Sequence, residues 1–202
     1  SRRDDPDAQT RWEEFTVPYQ PGMNVISLLQ SIRLNPVTRD GKPTTPVTWD
    51  CNCLEEVCGA CTMIVNGRVC QSCAALVDRL KQPIVLEPMS KFPVVRDLMG
   101  DRSGMFEQLK KIHGWIPVDG TYDLGPGPRI DPDDQFEAYE LSRCMTCGCC
   151  VEACPQVNEH SDFMGPALMS QVVYFNMHPT GRADKTDRLK AVMGIGGSAD
   201  CG

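Results

Sequence analysis

Residues 140–155 read ELSRCMTCGCCVEACP, and four of the cysteines in this stretch follow the pattern Cys-x2-Cys-x2-Cys-x3-Cys-Pro. They are Cys144, Cys147, Cys150 and Cys154. This is the bacterial ferredoxin spacing, in which three cysteines hold one iron–sulfur cluster and the fourth ligates another cluster. The stretch therefore predicts cluster binding in the second half of the chain, with Cys154 serving a cluster of its own. Cys149 breaks the spacing and is predicted to be a bystander.

The number of cysteines downstream is too small to complete these sites. Cys144, Cys147 and Cys150 need a fourth ligand and Cys154 needs partners, yet Cys201 alone remains. We therefore expect the missing ligands to lie past Gly202, in a longer protein.

A second cysteine pattern occupies the first half of the chain. Cys53-x4-Cys58-x2-Cys61, with a later Cys73, has the spacing of the plant-type [2Fe–2S] loop. Such a loop aims its sulfurs and several backbone N–H groups at one small cluster, and Gly59 leaves room for that close approach. The pattern predicts a [2Fe–2S] site.

A zinc site is the rival interpretation of the same region. Cys58-x2-Cys61 and Cys70-x2-Cys73 could together form a four-cysteine zinc site. That arrangement gives Cys53 no role, and the eight residues between the two pairs are few for a zinc ribbon. The [2Fe–2S] interpretation is favoured, and it makes Cys51 and Cys70 small, partly buried thiols.

Composition narrows the class of protein. The chain has 202 residues, 12 cysteines and a net charge of −7. Residues 1–10, SRRDDPDAQT, contain no apolar signal core, so we expect reduced cysteines that bind metal rather than disulfides. The negative charge argues against non-specific nucleic-acid binding. The sequence has no run of 18 apolar residues, so no membrane span is predicted.

Hydrophobic periodicity predicts a mixed first half and a helical second half. A helix is expected over residues 25–32 with Asn24 as its cap, a hairpin around Asn66-Gly67, and strands at 15–17 and 84–86. Further helices are expected at residues 105–115, 135–142, 166–176 and 185–193, and a Gly/Pro loop at 122–128. The fold class is α+β, with a domain boundary at residue 104.

With these motifs, the chain resembles the iron–sulfur subunits of succinate dehydrogenase and fumarate reductase, respiratory complex II. The resemblance runs through WDCNCLEEVCGACTM (49–63), QSCAALVD (71–78), FPVVRDL (92–98), the stretch at 140–155, and LMSQVVYFNMHPTG (168–181). It implies a β-grasp [2Fe–2S] ferredoxin domain at 1–104, with a first strand expected before Ser1. It also implies an α-helical ferredoxin domain at 105–202 that continues past Gly202.

The resemblance also implies the ligand sets. Cys53, Cys58, Cys61 and Cys73 would hold [2Fe–2S], Cys144, Cys147 and Cys150 would hold [4Fe–4S], and Cys154 and Cys201 would hold [3Fe–4S]. No residue of this chain is expected to perform bond chemistry.

The activity implied is that of the electron-transfer subunit of succinate:quinone oxidoreductase. The partners would be an FAD flavoprotein, where succinate is oxidised to fumarate, and a membrane anchor of the cytochrome b type with haem b and quinone. The chain would lie peripherally on the cytoplasmic face of the inner (plasma) membrane. Residues 156–159, QVNE, replace the tryptophans of ubiquinone-linked members and Gly202 replaces their histidine, which favours the menaquinone-linked branch.

Two other functions are kept as alternatives. One is the iron–sulfur subunit of a different two-partner dehydrogenase, such as a glycolate oxidase type. The other is a zinc-binding interaction module without a redox role.

Overall fold

The computed structural model describes residues 1–117 and 128–201, and it contains two compact units. The first unit is Ser1–Arg102 with Cys147–Glu152, and the second contains the described residues of Ser103–Thr146 and Ala153–Gly202. Strands occur in the first unit and helices predominate in the second, which confirms the α+β class. The domain boundary at residue 104 stays a prediction. Of the loop predicted at residues 122–128, all but Pro128 lies outside the described residues.

Helix α1, Val25–Leu34, begins where the sequence predicts. The Asn24 side chain accepts a hydrogen bond from the Ser27 amide at 2.8 Å, which satisfies one of the free N–H groups of the first turn. The apolar face of the helix is buried and consists of Val25, Ile26, Leu29 and Ile32. Asn35 ends the helix, immediately before Pro36.

The main sheet has three antiparallel strands in the order β2-β1-β3. They are β1 Thr62–Val65, β2 Arg68–Gln71 and β3 Leu86–Glu87. Asn66 and Gly67 have φ values of 51° and 78°, as a two-residue hairpin turn requires, so the predicted hairpin is confirmed. A second sheet pairs β4 Val94–Arg96 with β5 Met99–Gly100.

The strand prediction for residues 15–17 is wrong, and the one for residues 84–86 is misplaced. Residues 15–17 belong to no strand. The strand predicted at residues 84–86 begins only at Leu86, because the Val85 amide donates to the Asn66 side chain at 2.7 Å instead of to a strand.

The core of the first unit lies between α1 and the main sheet. The buried α1 face belongs to one hydrophobic cluster with Val47, Met63, Val65 and Leu98 and with Cys61 and Cys73. Two predicted cluster ligands are therefore part of this hydrophobic core.

The second unit contains helices α2 Ser103–Lys111, α3 Pro132–Ser142, α5 Pro166–Met177 and α6 Lys185–Met193. The short α4, Cys149–Ala153, lies within the second cysteine run, and all of it but Ala153 belongs to the first unit. In the second unit, α3 and α6 pack against α5. The predicted helices at 166–176 and 185–193 are confirmed. Ile112, Leu168 and Val172 form the buried centre of this unit.

The prediction of a helix to residue 115 is too long. Helix α2 ends at Lys111 because His113 turns the chain with a φ of 52°. The buried side chain of Arg188 donates hydrogen bonds to the carbonyl oxygens of His113 and Trp115 at 2.9 and 2.8 Å. The chain after α2 therefore bonds to a side chain instead of continuing the helix.

Within residues 1–117 and 128–201, none of the helices combines the length and the apolar character needed to cross a membrane.

Candidate iron–sulfur sites

The first cysteine loop, residues 51–61, turns repeatedly through left-handed backbone conformations. Leu54, Glu56 and Gly59 have φ values of 61°, 58° and 69°. Such values are rare for residues with side chains, and here they alternate with ordinary conformations. The alternation turns successive N–H groups of the loop toward its sulfur atoms.

Backbone N–H groups surround the sulfurs of Cys53 and Cys58. The amides of Glu55, Val57 and Cys58 donate to Cys53 Sγ at 3.4, 3.4 and 3.3 Å. The amides of Cys53 and Ala60 donate to Cys58 Sγ at 3.5 and 3.4 Å. The hydrogen bond from the Glu55 amide, followed by that from the Val57 amide, lowers the pKa of Cys53 to about 7. Since the thiolate is the form that binds metal, this donor set fits an iron–sulfur cluster.

Cys61 and Cys73 meet at the open end of the β1–β2 hairpin. The Ser72 amide donates to the Cys61 carbonyl at 3.2 Å, one step beyond the last strand pair. Both thiols are buried, and burial raises the pKa of Cys61 to about 11. The Asn24 side chain donates to the Cys73 carbonyl at 2.9 Å, so the cap of α1 also holds this predicted ligand.

The second cysteine run is turned by Thr146 and Gly148, whose φ values are 54° and 86°. Behind Gly148 there is no space for a side chain, since a Cβ there would lie 2.9 Å from Phe92 Cζ. Cys147 and Cys149 contact each other, and the Cys149 thiol lowers the pKa of Cys147 to about 6 while its own pKa is raised.

The predicted bystanders differ in their surroundings. Cys149 also contacts the Thr62 side chain, a contact that the spacing of the cysteines does not reveal. Cys70 is half-buried as predicted, and burial raises its pKa. The prediction of partial burial is wrong for Cys51, which is exposed.

The remaining predicted ligands are less enclosed. Cys144, Cys150 and Cys201 are exposed and Cys154 is half-buried. Cys150 belongs to the first unit, whereas the other three belong to the second. Among residues 1–117 and 128–201, no three His, Cys, Asp or Glu side chains form a group that could hold a metal ion. Cys53 with Cys58, and Cys61 with Cys73, are brought together as pairs, and the full ligand sets stay predictions.

Comparison with known proteins identifies the family. Residues 1–107 match a family model described as a 2Fe-2S iron-sulfur cluster binding domain. The chain is 62% identical over 202 residues to the succinate dehydrogenase iron-sulfur subunit of Bacillus subtilis, covering 100% of this chain and 80% of that one. The chain belongs to the iron–sulfur subunits of succinate dehydrogenases and fumarate reductases.

Two more distant matches agree with this membership. The fumarate reductase iron-sulfur subunit of Wolinella succinogenes is 29% identical over 175 residues, covering 85% of this chain and 70% of that one. A solved structure, the Mycobacterium smegmatis Sdh1 complex in the apo form, contains a chain with a TM-score of 0.72 and 25% identity. That match covers 94% of this chain and 80% of the other. The relatives support neither alternative function, the zinc-binding module or the different dehydrogenase.

Proposed function

We propose that this iron–sulfur subunit carries single electrons between the FAD of a flavoprotein subunit and quinone at a membrane anchor, within a succinate:quinone oxidoreductase. The observation that carries the proposal is the set of five N–H contacts to the sulfurs of Cys53 and Cys58. These contacts occur in a chain that is 62% identical to a succinate dehydrogenase iron-sulfur subunit. The dicarboxylate chemistry belongs to the flavoprotein.

The cysteines are assigned to three clusters. Cys53, Cys58, Cys61 and Cys73 hold [2Fe–2S], Cys144, Cys147 and Cys150 hold [4Fe–4S], and Cys154 and Cys201 hold [3Fe–4S]. When bound, each cluster takes up and releases one electron at a time. The chain itself supplies sulfur ligands, N–H donors and surroundings that partly exclude water. Residues 1–104 and 105–202 are proposed as the two ferredoxin-type domains.

The N–H contacts have a consequence for the reduction potential. Plant-type [2Fe–2S] centres have potentials of about −400 mV, so a cluster reduced by succinate needs surroundings that raise its potential. N–H groups directed at sulfur stabilise added negative charge. The amides of Glu55, Val57 and Cys58 stand in that position around Cys53 Sγ.

Membership of the family supports the partners and the location that we propose. We assign FAD to the flavoprotein, and haem b and quinone to a cytochrome b anchor that holds the chain peripherally on the cytoplasmic face of the inner (plasma) membrane. Residues 156–159, QVNE, support the menaquinone-linked branch because they offer no tryptophan to a quinone pocket. Gly202, the other residue in that argument, lies outside the described residues.

Anaerobic reduction of the purified complex tests this function. Succinate should produce the EPR signal of reduced [2Fe–2S] and remove that of oxidised [3Fe–4S], and a menaquinone analogue should reverse both changes faster than a ubiquinone analogue does. A colourless complex with stoichiometric zinc would contradict the function. Faster reversal by the ubiquinone analogue would contradict only the menaquinone assignment.

A further inference from the structure

Arg102 lies in contact with both cysteine-rich segments of the first unit. Its Nη1 donates to the carbonyl oxygen of Gly59 at 2.7 Å, and the carbonyl oxygen of Cys147 is 3.5 Å from the same nitrogen. Gly59 stands between Cys58 and Cys61, two proposed [2Fe–2S] ligands, and Cys147 is a proposed [4Fe–4S] ligand. The half-buried guanidinium therefore bridges the loops that belong to two different clusters.

The two segments meet with no free space between them. A Cβ added to Gly59 would lie 2.7 Å from Cys147 Cβ and 2.8 Å from Cys147 Cα, distances that real Cβ atoms do not show. Gly59 also has a φ of 69°, which favours glycine. The contact between the loops is thus a backbone approach, and Arg102 bonds to the backbone on both sides of it.

The far end of the second segment is held separately. Glu152 accepts hydrogen bonds from the amides of Ser90 and Lys91, both at 3.0 Å, and from the Ser90 hydroxyl at 2.5 Å. Residues 147–152 are consequently fixed to the first unit at both ends, and the end that carries Cys147 is the one that Arg102 holds. A loss of Arg102 leaves the Glu152 attachment in place.

The charge of Arg102 bears on electron transfer. A cluster becomes more negative by one charge when it is reduced, so a fixed positive charge nearby favours the reduced form and raises the potential. The guanidinium of Arg102 supplies such a positive charge. Because it is half-buried, water and salt screen it less than they screen a surface arginine.

We propose that Arg102 is a positioning residue that clamps the Cys147 segment onto the Gly59 turn and, through its charge, raises the reduction potentials of both the [2Fe–2S] and the [4Fe–4S] clusters. The proposal rests on the proposed ligand sets and adds a residue that cysteine spacing does not indicate.

EPR redox titration of the intact complex tests the proposal with Arg102→Gln, Arg102→Lys and the control Arg39→Gln. Arg39 is exposed and pairs with Glu14, so its replacement removes the same charge from a surface ion pair. With all three EPR signals retained, Arg102→Gln should lower the midpoint potentials of [2Fe–2S] and [4Fe–4S] and leave that of [3Fe–4S] unchanged. Arg102→Lys should restore both potentials, and Arg39→Gln should match the parent complex.

Each outcome decides the proposal. Parent potentials for [2Fe–2S] and [4Fe–4S] in a cluster-loaded Arg102→Gln complex would overturn it. If that variant does not assemble its clusters, Arg102→Lys decides: assembly with parent potentials supports the proposal, whereas lowered potentials or absent clusters overturn it. The parent complex serves as the separate check on the proposed function: absence of the three signals there would refute the ligand sets, and with them the proposal, whereas parent potentials in Arg102→Gln would refute the role of Arg102 alone.

Discussion

Asp97 is a fully buried carboxylate that joins three parts of the first unit. It accepts hydrogen bonds from Arg2 Nε at 2.9 Å and from the amides of Arg3 and Thr48 at 3.0 and 2.9 Å. Arg2 is also buried and bonds to Glu13 at 2.6 Å. Removing one partner of such a pair leaves an uncompensated charge in the interior, which is why single replacements are costly.

Asp97→Asn should therefore lower the free energy of unfolding of the cluster-loaded chain by about 3 kcal/mol. The amide keeps the size of the side chain but places an NH2 group against an N–H donor and removes the charge facing Arg2. Denaturant unfolding provides the measurement. Glu14→Gln, which breaks the exposed Arg39 pair, is the control and should cost under about 0.5 kcal/mol. Equal losses for the two variants would refute the structural role of Asp97.

Gly59 and Gly67 provide a matched test of the close contact between the Gly59 turn and the Cys147 segment. Their φ values are 69° and 78°, but nothing lies within 4 Å of a Cβ on Gly67, whereas a Cβ on Gly59 would collide with Cys147. Gly67→Ala should cost only the backbone strain of about 1 kcal/mol. Gly59→Ala should cost about 1 to 3 kcal/mol more, because the two segments must separate. Thermal unfolding and the iron content of the two variants are the measurements, and indistinguishable variants would contradict the close approach.

For single residues, the sequence predicts which side chains can bind a cluster better than it predicts which distant residues contact each other. The cysteine spacing indicated which residues can be ligands, and backbone N–H groups of the first cysteine loop do donate to its sulfurs, as expected. Arg102 could not be found in this way, since it lies 43 residues from Gly59 and 45 residues from Cys147 along the chain. Contacts over such separations arise only when the fold brings the segments together.

At the element scale, local signals decided which predictions held. The cap, apolar spacing and terminating proline of α1 all act within a few residues, and so does the Asn66-Gly67 turn. Strand β3 and the end of α2 were misplaced because distant groups determine them. The Asn66 side chain accepts a hydrogen bond from the Val85 amide, and Arg188 donates to the carbonyls of His113 and Trp115.

Asn24 links helix α1 to Cys73, a proposed [2Fe–2S] ligand. Its Oδ1 caps α1 and its Nδ2 donates to the Cys73 carbonyl. Asn24→Ala should lose both contacts, whereas Asn24→Ser keeps a capping oxygen and loses only the donor to Cys73. The serine variant should consequently be the more stable of the two by about 1 kcal/mol in denaturant unfolding. A serine variant no more stable than the alanine variant would show that the cap contributes little.

At the scale of the whole molecule, the sequence indicates two halves but not where every segment belongs. Residues 147–152 follow the predicted boundary by more than forty positions and still belong to the first unit, attached by Glu152 and by the Gly59 contact. Periodicity and composition describe segments one at a time. A segment that leaves one unit to join another is visible only from its long-range contacts.

Cys53, Cys58, Cys61 and Cys73 are the proposed ligands of [2Fe–2S]. Cys53 and Cys70 separate this site from the four-cysteine zinc site, because Cys53 is a ligand only of the former and Cys70 only of the latter. The most direct measurement is the [2Fe–2S] EPR signal and the iron content of the reduced complex carrying Cys53→Ala or Cys70→Ala. We predict that Cys53→Ala abolishes the signal and that Cys70→Ala retains it. A retained signal in Cys53→Ala together with a lost one in Cys70→Ala would contradict the [2Fe–2S] assignment.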